Sequence, residues 1–127
     1  MHADERRLNE ITEQIIQAAF KVANTLGVGF LEKVYENALA WELRKERLEV
    51  AQQQAVLVKY EGVVVGDYFA DLLVEQEVIV ELKVVKALDD IHSAQCLNYL
   101  KASGLRVCLL LNFATARIGI KRIVQNL

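Results

Sequence analysis

The spacing of apolar and polar positions changes along this chain, and the changes divide it into helices and strands. Ile11, Ile15, Ala18, Ala19, Val22 and Leu26 recur at helical spacing behind Asn9, which can cap the helix, and Gly27 offers a left-handed stop. After Gly27-Val28-Gly29 a second helix is predicted from about Phe30 to Glu46, with Leu31, Val34, Ala38, Trp41 and Leu43 facing inward. From Val50 the period drops to two. Ala55 to Tyr60 alternates, Glu61-Gly62 turns the chain, and Val63 to Phe69 continues as a strand. Leu88-Asp89-Asp90 opens a helix from about Ile91 to Ser103, stopped by Gly104. Leu105 to Phe113 is a continuous apolar run of the doubly buried type, and Arg117 to Val124 alternates as a last edge strand. Two helices, three or four antiparallel strands, a helix and two strands predict an α/β sandwich around a central mixed sheet. The return through the third helix implies a parallel crossover.

The rest of the chain is organised around Phe69 to Lys86, a strand, a tight reversal at Gln76 and Glu77, and a second strand. Val78, Val80, Leu82 and Val84 make one wholly apolar face, while Ile79, Glu81, Lys83 and Val85 make the other. Burying an unpaired carboxylate or ammonium is costly, so Glu81 and Lys83 require a reason. They can pair with each other or lie on a solvated face. Alternatively Asp71, on the preceding strand, and Glu81 converge as hard oxygen ligands for a divalent cation, with Lys83 beside an attacking water. His92, Gln95 and Tyr99 share one face of the third helix, which is either solvated or packed over Glu81 and Lys83. Glu32 opens the second helix, where its charge suits the helix dipole or reaches the same site as a third acid.

At 127 residues the chain suffices for one domain. It has no proline, and no linker or internal repeat is visible. Cys96 and Cys108 lie outside any Cys-x-x-Cys or Cys/His cluster and read as buried thiols of a reducing compartment, which leaves zinc and iron–sulfur sites without support. The polar start MHADERRLNE and the short apolar run Val107 to Leu111 argue for a cytoplasmic protein without a membrane span. A net charge of −2 gives no global attraction to phosphate backbones. A local basic groove remains open to Arg44, Lys45, Arg47, Lys59, Lys86, Lys101, Arg106, Lys121 and Arg122.

Asp71, then Glu81-x-Lys83 at a strand hairpin, then Gln95-x-x-x-Tyr99 on a helix resembles the active-site pattern of the PD-(D/E)XK nuclease superfamily, in its exonuclease-like branch. Gly29-Phe30-Leu31-Glu32-Lys33-Val34-Tyr35 is similar to the signature of the bacterial and archaeal GxxExxY proteins. The resemblance runs from about Asn9 to Val124, with residues 1–8 as a polar arm, and departs from the superfamily's name at Ala70, where proline is usual. It implies a restriction-endonuclease-like core across residues 1–127. It also implies one or two Mg²⁺ or Mn²⁺ ions on Asp71, Glu81, the Leu82 carbonyl and Glu32. Lys83 would orient or deprotonate the water, and Gln95 and Tyr99 would steady the phosphate or Glu81 and Lys83.

The implied activity is divalent-metal-dependent hydrolysis of nucleic acid, DNA in preference to RNA. The alternative is a non-catalytic nucleic-acid- or protein-binding module that keeps the fold. The small surface also leaves room for a homodimer or a partner protein. A hydrolase of small phosphate esters finds no glycine-rich phosphate loop in the chain.

Overall fold

The computed structural model describes residues 2–127. Its elements are α1 (His2–Leu26), α2 (Glu32–Lys45), β1 (Val50–Tyr60), β2 (Val63–Val74), β3 (Val78–Lys83), α3 (Asp90–Ser103), β4 (Val107–Asn112) and β5 (Gly119–Val124). The sheet has the order β1-β2-β3-β4-β5. Its neighbours are antiparallel except β3 and β4, which run parallel through the crossover helix α3. The mixed sheet between helices is the predicted architecture.

The alternation along β3 sorts the core into two layers. Val78, Val80 and Leu82 pack with Ile15, Val22 and Leu39 from α1 and α2, while Ile79 packs with Cys96, Tyr99 and Leu100 from α3. By the same alternation Glu81 faces α3. The crossover helix is defined at both ends. The Asp89 carboxylate accepts from the Ile91 N–H in a capping box with His92, and Gly104 closes the helix at φ 76°.

Some predicted features differ. Residues 2–8 are not an arm but the first turns of α1, with Asn9 inside the helix and no longer its cap; Met1 lies outside the described residues. The apolar stripe begins a turn earlier than read, at Leu8, which is buried. The reversal between β2 and β3 occupies Glu75 to Glu77, with Glu75 and Gln76 left-handed, and β2 is one long strand.

The largest difference is the rotation of α2. Leu31, Val34 and Trp41, predicted to face inward, are exposed, Leu31 by 79% and Trp41 by 66%. Tyr35, Glu36, Leu39, Ala40 and Leu43 are buried instead. Tyr35 sets this rotation. Its ring stacks on Phe113 at 4.8 Å, and its hydroxyl donates to the Gly27 carbonyl at 2.7 Å and accepts from the Phe30 N–H at 3.3 Å. A buried ring so tied to the α1–α2 loop outweighs the aliphatic stripe one position away on the helical wheel. Among the described residues, no helix is long and apolar enough to cross a membrane.

Tyr35→Phe keeps the ring but leaves the Gly27 and Phe30 backbone groups unpartnered. It is expected to lower stability by about 2 kcal/mol. In urea titration the midpoint should fall while the slope stays constant.

Candidate active site

The site forms where the sheet's regular hydrogen bonding is interrupted. The β2–β3 ladder pairs Val74 with Val78, Leu73 with Ile79 and Leu72 with Val80, and goes no further. On the other side, β1 pairs Gln52 with Leu72 and Gln54 with Ala70, passing over Gln53 and Asp71. Asp71 is thus paired in neither ladder. Side chains take over the backbone's bonds: the Asp71 N–H donates to Glu81 Oε2 at 2.7 Å, and the Leu82 N–H donates to Asp71 Oδ2 at 2.9 Å. Each carboxylate is held by the backbone of the opposite strand or its neighbour, so the two acids are brought together.

Their surroundings disfavour charge. Glu81 is only 3% exposed. Burial first, and then the neighbouring charge of Asp71, push its carboxyl up to about 8. Burial also raises Asp71, against the hydrogen bonds it accepts from Leu82 and Gln53. Glu32, the first residue of α2, has an exposed surface, yet partial burial of its carboxyl, and then the charge of Asp71, raise it above its ordinary value. Among the described residues, no three His, Cys, Asp or Glu side chains are grouped so as to hold a metal ion. The Asp71–Glu81 pair nevertheless suits a hard dication, because Mg²⁺ is commonly held by one or two carboxylates and completes its shell with water and substrate phosphate.

Lys83 continues the face on which Glu81 lies. Its Nζ donates to Gln95 Oε1 at 3.1 Å, and Gln95 Nε2 donates to the Tyr99 hydroxyl at 3.1 Å. The stripe on α3 therefore packs over the charged strand. Neither ordinary explanation of Glu81 and Lys83 applies: Glu81 is buried, and none of the ion pairs among the described residues includes Lys83. The Tyr99 hydroxyl is pushed up to about 12, mainly by burial and then by the charge of Glu81, which keeps it protonated. His92 is turned elsewhere. Its Nδ1 accepts from the Asp89 N–H at 3.1 Å and serves the helix cap.

Two residues at the site lay outside the sequence reading. Glu36 is a buried acid that accepts from Lys33 Nζ at 3.0 Å, Gln52 Nε2 at 2.8 Å and Gln53 Nε2 at 2.9 Å. The Gln53 amide also reaches Asp71 Oδ1 at 3.3 Å. Gln53 takes φ 53° within a strand, a costly conformation for a residue with a side chain, and the one that leaves its amide between the two acids. The visible signal was the glutamine run at 52–54, polar residues where a strand had begun.

The remaining chemistry-bearing residues have structural places. Cys96 and Cys108, read as separate, are free thiols buried in the same core layer between α3 and β4, and the neighbouring Cys96 thiol together with burial holds the Cys108 thiol well above its ordinary value. The basic residues do not gather on one side. Lys59 and Lys101 line a groove beside α3, whereas Arg44 is bonded to Gln52 and the Val50 carbonyl, and Arg122 to Asn9 of α1.

The profile of the PD-(D/E)XK nuclease superfamily matches residues 9–123. No sequence match is found among curated proteins. Among solved structures, SSO0001 superposes with a TM-score of 0.57 at 20% identity over 75% of this chain, which spans half the length of that protein. An alkaline exonuclease from Laribacter hongkongensis superposes with a TM-score of 0.52 at 11% identity, over 91% of this chain and 82% of its own. At such identities the likeness is one of fold.

Below pH 4.5 Glu81 is protonated whether the chain is folded or not, but between there and about pH 8 only the folded chain keeps that proton. Stability without divalent ions should therefore fall as pH rises across that window and level off above it. Glu81→Gln resembles the protonated acid. Its melting temperature should match the parent's near pH 4 and exceed it by several degrees at pH 8.5, as followed by circular dichroism in EDTA; coincident curves at both pH values would remove the buried acid.

Proposed function

The chain belongs to the PD-(D/E)XK nuclease superfamily, and on that footing we propose that it is a divalent-metal-dependent nuclease that hydrolyses DNA phosphodiester bonds. The observation that carries this reading is the pair Asp71 and Glu81, held together at the interruption in the sheet, with the hydrogen-bonded run of Lys83, Gln95 and Tyr99 starting on the same face of β3. A buried and a half-buried carboxylate this close repel each other unless a proton or a cation lies between them, and a lysine nearby supplies positive charge without neutralising either.

Asp71 and Glu81 would hold Mg²⁺ or Mn²⁺, with Glu32 joining directly or through water and the Leu82 carbonyl completing the set. When bound, the ion supplies a Lewis acid for the phosphate and lowers the pKa of a coordinated water. The chain's own groups do the rest. Lys83, positioned by Gln95, lies where it can orient the attacking water or offset charge developing on the phosphate. Tyr99, protonated across the working pH range, fixes the Gln95 amide and so the direction of the lysine. Glu36 and Gln53 hold Asp71 from the α2 side. The run Gly29 to Tyr35 resembles the GxxExxY signature, and on this reading Glu32 is the site's third acid and Tyr35 the anchor of its helix. Free, buried thiols accord with a cytoplasmic setting.

Isothermal titration with Mn²⁺ should show binding in the parent chain and none in the Asp71→Ala/Glu81→Ala double variant. Glu81→Ala should abolish metal-dependent cleavage of DNA while circular dichroism stays unchanged. Lys83→Ala should retain metal binding and lose about 10²–10⁴-fold in rate. A chain that binds nucleic acid with no turnover on any divalent ion would instead be a binding module, and cleavage undiminished in Glu81→Ala would sink the assignment.

A further inference from the structure

A groove of about 1430 Å³ lies between the β1–β2 hairpin and α3, and Gln95 and Tyr99 belong to its lining, so it adjoins the candidate site through the Gln95–Lys83 hydrogen bond. Its floor is apolar, with Val56, Leu73 and Ile79 along the sheet. Two exposed cations stand on facing elements, Lys59 on β1 and Lys101 on α3. The acid in the lining is Glu49, whose Oε1 is taken by the Gln76 amide at 3.1 Å.

Tyr68 presents its ring to this groove. It is 52% exposed, and its centroid lies 6.1 Å from that of Tyr99, tilted by 50°. Gly66 makes the placement feasible. A Cβ there would stand 3.1 Å from the Tyr68 ring and 3.3 Å from the Val58 Cβ, so the ring occupies space that any side chain at position 66 would contest. An aromatic face is thereby held open, next to the residue that ends the Lys83–Gln95–Tyr99 chain.

We propose that this groove binds a single-stranded segment of nucleic acid, with a base stacked on Tyr68 and the backbone running past Lys59 and Lys101 toward Lys83; the direction of that path rests on the nuclease reading above. The chemistry of the walls selects the single strand. A duplex presents its phosphates and hides its base faces, which would lay an anionic surface on an apolar floor with two cations to answer it. Splayed bases offer apolar faces to the exposed Val65 and Ile91 of the lining and a π-surface to Tyr68, while two lysines suffice to track a short run of backbone.

The test is fluorescence anisotropy of a labelled oligothymidylate and of a hairpin duplex on the full chain in EDTA, where binding is read without cleavage. The single strand should bind more tightly than the duplex, with a salt slope of about −1.4 for two phosphate contacts, and Lys59→Ala and Lys101→Ala should each reduce the slope by about 0.7. Tyr68→Ala should weaken binding about tenfold and Tyr68→Phe should restore it. Gly66→Ala, which moves the ring without removing it, should weaken binding in the same direction, and thermal melts of each variant separate a binding loss from misfolding. Equal affinity for duplex, or a folded Tyr68→Ala that binds as the parent does, would overturn the inference. Cleavage is measured separately with Mn²⁺: a chain that cuts DNA but shows no single-strand preference keeps the nuclease reading and loses the groove, and one that prefers single strands but never cuts does the reverse.

Discussion

Two carboxylates held against each other at a break in the sheet are the constraint to which the rest of this structure answers. Regular pairing would have carried β2 past β3 and given Asp71 and Glu81 ordinary backbone partners. Instead the ladder stops at Leu72, and the Asp71 and Leu82 N–H groups turn to the two side chains. Those hydrogen bonds favour the ionised acids, while burial and mutual repulsion oppose ionisation more strongly, since both carboxyls are raised. An arrangement that leaves so costly a tension in the core is best understood through what it can bind: a cation relieves both opposing effects at once.

The interruption also decides which elements can reach the site. A continuous sheet would separate α2 from α3, with the two core layers on opposite faces. Where Asp71 drops out of both ladders, Glu36 and Gln53 approach from the α2 side, and Gln95 reaches Lys83 from α3. The left-handed Gln53 belongs to the same break, because its backbone conformation is incompatible with regular pairing opposite Asp71. Parallel pairing of Lys83 with Asn112 anchors the end of β3, and the Asn112 side chain bonds Val85 through both its N–H and its carbonyl, so the strand bearing Lys83 is secured just beyond the site.

What could be read from the sequence followed from periodicity and punctuation. The crossover helix was legible because Asp89 and Gly104 mark its ends, and the α3 stripe because Gln95 and Tyr99 are four residues apart on a helix that must cross the strand bearing Glu81. The rotation of α2 was not. Leu31, Val34 and Trp41 form as apolar a stripe as Leu39, Ala40 and Leu43, and only the tertiary contact of Tyr35 with Phe113 turns the helix past them. Glu36 was hidden for the same reason, since a helix read with the wrong face inward shows that acid as solvent-facing. Gln53 was illegible in a different way: no propensity assigns a left-handed backbone to a glutamine within a strand, and the strain is tolerated because Glu36 and Asp71 both accept from its amide.

The same logic separates the residues proposed for the chemistry from those that merely sit near them. His92 lies one turn before Gln95 on α3, yet its imidazole is committed to the Asp89 N–H at the helix start, so a titratable group at the right spacing is spent on capping. Tyr35 lies three residues from Glu32 and is wholly buried beneath the loop it fastens. Proximity in sequence to a functional acid thus says little, whereas the chain from Lys83 through Gln95 to Tyr99 runs away from the solvent edge into the α3 core, where Tyr99 is 6% exposed. A lysine whose aim is set by a glutamine, itself set by a buried phenol, has little freedom left to lose, and that prior ordering is what supports the role proposed for it above.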